Sequence, residues 1–305
     1  MLVYLDQNIV GYFYDGLLSV PERNDIQWVY SSEHFSEIAR GNATEFLSVF
    51  EKLKARQIYL VHDNDFKITG NVRLHEYLSP YELYERHIET INQVPFDQSP
   101  MLELLARMYG ANNFESACSV PDKLDEQIRL ILEGLPIENV ILSKWEKARA
   151  DLTKTINEHL VNGRTLEEMR APIGLSKGRA SNLQERENPI VELWQLVGAK
   201  AAGITCDQLF GFDPIDKQGY KTWPLYLGIV GCHAILNAFG YRPDKNLSVP
   251  AALAGVVSDG SHIGYGAFCN AVISEDSRFC SKASAIYRYK NIATKVIRLI
   301  RDQLG

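Results

Sequence analysis

The 305-residue chain lacks the features that would assign it to several large classes at once. No basic run precedes an apolar stretch at the N-terminus, where Asp6 already interrupts, so no signal peptide is expected. The longest apolar run, Leu225 to Phe239, is shorter than a bilayer span and contains His233 and Asn237; it reads as a buried helix. Cysteine is sparse. The five thiols, Cys118, Cys206, Cys232, Cys269 and Cys280, show no C-x-x-C spacing, which argues against a zinc site and a disulfide framework. Reduced thiols in a cytoplasmic protein are the simple expectation. Positive charge is not in excess: 32 Lys and Arg against 38 Asp and Glu give a formal charge of -6. A sequence-blind nucleic-acid coat is therefore disfavoured, while a local basic groove is not. A P-loop and a G-x-G-x-x-G after a strand are both missing. Asn8 stands where a haloacid-dehalogenase-like phosphatase needs a second Asp.

What is present is an alternation of strand and helix signals. Leu2 to Leu5 is a buried strand running into Asp6-Gln7-Asn8, with a turn at Tyr14-Asp15-Gly16. Trp28 to Tyr30 is a second strand, followed by a helix from Ser32 to about Arg40 and another over Ala43 to Arg56. Ile58 to Val61 is a third strand by its β-branched and aromatic content. Such alternation favours a mostly parallel sheet covered on both faces. From about 71 to 214 nearly every periodic segment is helical, which predicts an all-α insertion within a discontinuous α/β domain of residues 1–70 and 215–305. A helix is expected over Val249 to Val257, and a second begins at Asp259 with His262 one turn on. Then come a strand at Ala271 to Ile273, a helix from Lys282 to Tyr289, and an edge strand within Thr294 to Leu299.

Four acids stand at element ends: Asp6 after the first strand, Glu37 on the second helix segment, Asp259, and Asp276 after the late strand. Taken singly, each reads as a turn residue, a cap or a solvated loop. In this order they carry a resemblance. Leu5-Asp6-Gln7-Asn8, then Ser32-x-His34-x-x-Glu37-Ile38, then Asp259-x-x-His262 and Ser274-x-Asp276 resemble the PIN-like nuclease superfamily. The resemblance implies a three-layer α/β/α fold, a helical insertion, and Asp6, Glu37, Asp259 and Asp276 gathered around Mg²⁺ or Mn²⁺. Hard cations take oxygen ligands, and such metals activate water and neutralise charge developing on phosphorus. Ser274 occupies the place of a small hydroxyl residue, Asn8 would orient Asp6, and His34 and His262 would contact phosphate or support the ligands. Asn270 stands where many relatives carry a further acid.

The activity so implied is hydrolysis of RNA, with DNA as a second substrate class, in an endoribonuclease that leaves a 5′-phosphate. Larger relatives of this layout resemble bacterial toxins or phage-defence effectors, which implies a cognate inhibitor or defence partner. No membrane partner is expected, and a homo-oligomer is compatible with the sequence. A different class is also open: a catalytically quiet PIN-like module that binds RNA or protein. Two basic stretches bear on this. Gly163 to Glu187, with Arg164, Arg170, Lys177, Arg179 and Arg186, reads either as a solvated loop or as a phosphate-contacting loop. Arg278 to Arg301 reads either as a nucleic-acid face or as the solvated side of terminal elements.

Overall fold

A computed structural model describes residues 1–19, 25–93, 97–133, 138–160, 166–175, 180–183, 186–198 and 203–300. Its elements in chain order are β1 (Leu2–Leu5), α1 (Gln7–Tyr14), β2 (Gln27–Ser31), α2 (Ser32–Gly41), α3 (Leu47–Lys52), β3 (Arg56–His62), β4 (Ile68–Leu74) and α4 (Pro80–Gln93). There follow α5 (Ser99–Met108), α6 (Phe114–Leu132), α7 (Glu138–Thr155), α8 (Leu166–Arg170), α9 (Pro189–Gly198), α10 (Cys206–Leu209) and α11 (Leu225–Phe239). The chain closes with α12 (Pro250–Gly266), β5 (Ala271–Ser274), α13 (Ser277–Tyr289) and β6 (Lys295–Arg298).

The strands form one sheet in the order β4-β3-β2-β1-β5-β6, parallel throughout except for the antiparallel β4 edge. Successive side chains point to opposite faces, so Val3 and Leu5 enter one apolar cluster while Tyr4 enters the other. The first cluster is closed by Ile9 and Val10 of α1, Phe35 and Ile38 of α2, and Phe50 of α3. The second is closed by Ile190 and Leu193 of α9, Ile229 and Leu236 of α11, Ile263 of α12, and Phe279 and Ile286 of α13. Helices therefore cover both faces, as buried parallel strands require. Each fully buried side chain of this size contributes about 2 kcal/mol.

Contacts divide the chain into two units: Met1–Ile88 with Ile173–Pro243 and Val257–Gly305, and Glu89–Pro172 with Asp244–Val256. Of residues 71–88 and 173–214, grouped with the insertion in the sequence, the described ones cluster with the sheet, where β4 extends it and α9 buries an apolar face on it. The second unit is helical where described. Leu104, Val120, Leu124 and Ile156 form its apolar cluster, beside a buried Arg107 that donates to the carbonyls of Ala111 and Leu160. Among the described residues no helix is long and apolar enough to cross a membrane.

Several local expectations change. The helix over Ala43 to Arg56 is shorter, a 3-10 turn at Thr44–Phe46 followed by α3. It stops at Lys54, which adopts φ 47° while Ala55 N–H bonds back to the Phe50 carbonyl and lets Arg56 start β3. Helix α1 was not foreseen, since its start is a single Asp cap. The antiparallel β4 was missed because its burial alternates only weakly. His62, Asp63 and Asp65 belong to the β3–β4 hairpin, where Asp63 Oδ1 accepts the N–H groups of Asp65 and Lys67. The two helices expected around 249–257 and from Asp259 are one helix, α12, with Asp259 in its interior. Gly260 and Gly264 let α12 approach α11: a Cβ at either would stand 3.0 Å from His233 Nδ1 or 2.7 Å from the Tyr226 ring.

The tightest approach is at Gly228 of α11, where a Cβ would lie 2.5 Å from the Phe212 ring and 3.3 Å from its Cα. Backbone limits relief, so Gly228→Ala is expected to lower stability by about 1–3 kcal/mol. Urea unfolding of the variant beside wild type checks this.

Candidate active site

The parallel strands β1, β2 and β5 deliver their C-terminal ends to one edge. Connections leave β1 toward β2 on one side and reach β5 on the other, so a crevice opens outside the end of β1, the position where open α/β sheets bind ligands. Asp6 stands there, 5% exposed, as the N-cap of α1. Its Oδ1 accepts the Gln7 N–H at 2.9 Å and its Oδ2 accepts the Ser274 hydroxyl at 2.6 Å, with Asn8 Nδ2 at 3.5 Å. Ser274 Oγ also accepts the Asp276 N–H at 3.1 Å, which ties the ends of β1 and β5 together. Asp276 caps α13: its Oδ1 accepts the N–H groups of Arg278 and Phe279 at 2.5 and 3.0 Å. Tyr12 donates to Glu275 nearby.

From the other side, α2 presents Glu33 and Glu37, one turn apart. Ser258 of α12 lies 2.6 Å from Glu37 Oε1 and 2.9 Å from Glu33 Oε1, and Arg40 stands 3.8 Å from both oxygens. A hydroxyl has one proton, so Ser258 serves one carboxylate at a time. His262, one turn beyond Ser258 and fully buried, is placed between the acids. Its Nδ1–H donates to the Tyr4 hydroxyl at 2.7 Å, and Tyr4 is in turn 2.7 Å from Ser31 Oγ. His262 Nε2 is 3.3 Å from Glu37 Oε2, an ion-pair distance without hydrogen-bond alignment, which leaves Glu37 Oε2 buried and, among the described residues, without a hydrogen-bond partner.

Charge follows from this packing. Burial opposes protonation of His262, but Glu37, then Asp6 and Glu33, outweigh it and raise its pKa to about 9. Burial would raise Glu37, yet His262 and Ser258 bring it down to about 2. Asp6 is raised by burial and by Glu37, against the opposing pull of His262 and Ser274. His34 is the neutral member: burial and the neighbouring His262 lower it to about 3. Its Nδ1 accepts the Ser31 N–H at 3.1 Å and its Nε2–H donates to the Leu5 carbonyl at 2.8 Å, so it pins α2 to β1.

No protein-family model, curated protein or solved structure matches the chain. The site therefore rests on its own geometry.

Of the residues singled out in the sequence, Asp6, Glu37, His34, His262 and Ser274 meet at this edge, with Asn8 and Asp276 beside them. Asp259 has a different neighbour. It offers a carboxylate oxygen within 4.8 Å of a His233 ring nitrogen, one residue round α12 from the Ser258 and His262 face. Asn270 sits at the opposite end of β5, where its Oδ1 accepts the Leu2 N–H. Glu33, Tyr4, Ser31 and Ser258 were missed. Only Glu33 carried a signal, its i,i+4 spacing with Glu37 on one helix face. Of the basic loop, Gly163, Arg164, Lys177, Gly178 and Arg179 lie outside the described residues. Gly174 to Gly178 does spell G-x-S-x-G, but α8 and a 3-10 turn at Ala171–Ile173 precede it rather than the strand a nucleophile elbow needs.

Asp6 and Glu37 offer hard oxygen donors of the kind Mg²⁺ or Mn²⁺ takes, with Glu33 adjoining. Among the described residues Glu37 Oε2 is unbonded, although no three carboxylate or imidazole ligand atoms at this edge lie within 4.8 Å of one another. Asp276 contributes less, since one of its oxygens already caps α13. The His262 imidazolium competes with any such ion for Glu37 Oε2.

The pair sets a pH dependence. His262, raised from 6.5 to about 9, contributes its full stability below the lower value and loses it as pH rises through the higher. Glu37, lowered from 4.5 to about 2, contributes above 4.5 and loses it as pH falls through 2. In EDTA, His262→Gln is expected to cost roughly 3 kcal/mol near pH ~6, with the deficit against wild type closing toward pH ~10. Urea unfolding across pH measures the gap. A gap constant with pH would mean that the ring packs without carrying charge.

Proposed function

We propose that the chain is a metal-dependent endoribonuclease of PIN-like type, with RNA as the expected substrate and DNA as the second class tested. The observation that carries the proposal is the meeting of Asp6 and Glu37 at the carboxyl edge of the parallel sheet, across a chain separation that only the fold closes. Acids held together in a crevice repel one another, and repulsion of this kind favours a bound cation. Asp6 and Glu37 would hold Mg²⁺ or Mn²⁺, which supplies activation of water and neutralisation of charge at phosphorus.

The remaining residues are positioning residues in this reading. Ser274 fixes Asp6 Oδ2 and so sets which oxygen faces the crevice. Ser258 holds Glu37 Oε1 and leaves Oε2 directed inward. Asp276 and Glu33 would reach the ion through water. His262 contributes a buried positive charge beside the carboxylates, with its Nε2 toward Glu37 Oε2. A toxin or phage-defence role rests on the resemblance alone.

A second reading is a catalytically quiet module that binds RNA or protein. The observation that favours it is the imidazolium itself: His262 already balances part of the negative charge, and Asp276 already serves a helix cap.

The deciding experiment is cleavage of labelled single-stranded RNA, structured RNA and DNA with Mg²⁺, Mn²⁺ or EDTA. Wild type is expected to cut RNA only with metal, and Asp6→Asn and Glu37→Gln to lose about a hundredfold or more. Asp259→Asn, whose carboxylate lies by His233, is expected to retain most activity. Folded protein that cuts none of the substrates under any metal would favour the quiet module.

A further inference from the structure

Next to the acids, one strand further along the same edge, the sheet carries the opposite charge. A pocket of about 380 Å³ is lined by Arg186, Arg242, Arg288 and Arg298, with Ser277, Ser281 and Ser284 along one wall. Among the described residues no carboxylate lines it. The serines, Ala285 and Arg288 recur at helical spacing on α13, so a single face of that helix forms the wall. Arg298 ends β6 directly beside Ser274 in the sheet register, which places it at the carboxyl edge. Arg242, at φ 48°, follows the C-cap of α11.

Among the described residues the guanidinium charges are largely uncompensated. Arg288 donates to the Glu187 carbonyl at 2.5 Å and Arg298 lies 3.5 Å from the Glu275 carbonyl, both neutral acceptors. Arg186 lies 3.7 Å from Glu192, and among the described residues the Arg242 Nε is buried with no hydrogen-bond partner. Ser281 already donates its hydroxyl to the Ser277 carbonyl, so four planar five-donor groups and the hydroxyls of Ser277 and Ser284 around a small cavity are what match the oxygens of a phosphate group. The pocket also adjoins the acids: its wall residue Cys280 directs its thiol to the Ser274 carbonyl, and Ser277 directly follows Asp276.

We propose that this pocket binds a phosphate group, and that it seats a backbone phosphate of a single-stranded RNA whose neighbouring linkage lies at Asp6. The second half rests on the nuclease reading; the first does not. Arginines at one place and carboxylates at the next along the edge would set the polarity and register of the strand, since phosphate contacts fix position without reading bases.

The test uses the full chain in EDTA, so that binding is read without cleavage. Fluorescence anisotropy of a short labelled single-stranded RNA is compared for wild type, the Arg288→Gln/Arg298→Gln double variant, Arg242→Gln and Asp6→Asn, with inorganic phosphate and adenosine monophosphate as competitors. Arg288 and Arg298 are exposed, so the double variant is expected to fold, with circular dichroism as the check. The proposal expects about tenfold weaker binding in the double variant, a salt slope lower by about 0.7 per arginine removed, and no weakening in Asp6→Asn. Wild type that ignores RNA but binds inorganic phosphate, with that binding lost in the double variant, would keep the phosphate site and overturn its strand assignment. Arginine-dependent RNA binding in a protein that cuts nothing with any metal would uphold the pocket while removing the nuclease. Binding of RNA and phosphate unchanged in both arginine variants would overturn the proposal.

Discussion

A buried positive charge on His262 is the constraint on which the site depends. Carboxylates at Asp6 and Glu37 cannot be taken out of water side by side without compensation, because each loses hydration and each repels the other. The imidazolium answers both costs, and it can do so only if α12 delivers its ring between β1 and α2. Everything around it serves that placement: Tyr4 receives its Nδ1–H, Ser31 receives the tyrosine, and Ser258, one turn earlier, occupies the far oxygen of Glu37. The same charge forbids a second one nearby, which is why His34, with its ring centroid 4.6 Å away, is held neutral and used as a rigid clip between Ser31 and Leu5.

The sheet topology then turns a charge balance into a usable edge. Parallel strands end together, and the reversal of strand order at β1 leaves the crevice beside Asp6 open. Moving outward across the register, the edge passes from Glu37 and Asp6 through Ser274 and Asp276 to Arg298 and the arginine pocket. An anionic polymer laid along this edge meets carboxylates, which require a cation, and then guanidinium groups, which supply their own. The overall formal charge of -6 conceals this arrangement, because a total says nothing about which charges share a surface.

Much of the fold was legible. Strands β1, β2, β3 and β5 announced themselves by short runs of β-branched and aromatic residues, α11 by its apolar length, and the end of α11 by Gly240 with Pro243 following. These are local signals, read by the residues within a few positions of each other. What failed was also local in character but decided elsewhere. Helix α1 depends on Asp6 being held as a cap. The strand β4 exists because β3 offers it an unpaired edge. The chain passes through Asp259 as uninterrupted helix because Gly260 finds its value in close packing on α11 rather than as a breaker.

The sequence by itself determined the α/β class, the buried strand cores, and the chemical types available at element ends: acids at 6, 37 and 276, imidazoles at 34 and 262, a hydroxyl at 274. Side-chain chemistry and short-range periodicity are properties of a few neighbouring residues, so they survive in one dimension. Only the tertiary structure decided that His262 sits between the acids while Asp259 lies by His233, that Glu33, Tyr4 and Ser258 join the acids, and that arginines from four separated segments ring one cavity. A modest rotation separates such outcomes: His262 and Asp259, three residues apart on one helix, differ in direction by only about 60°. That rotation is set by packing against α11 and the sheet, and contacts across hundreds of residues leave no mark on the residues that lie between.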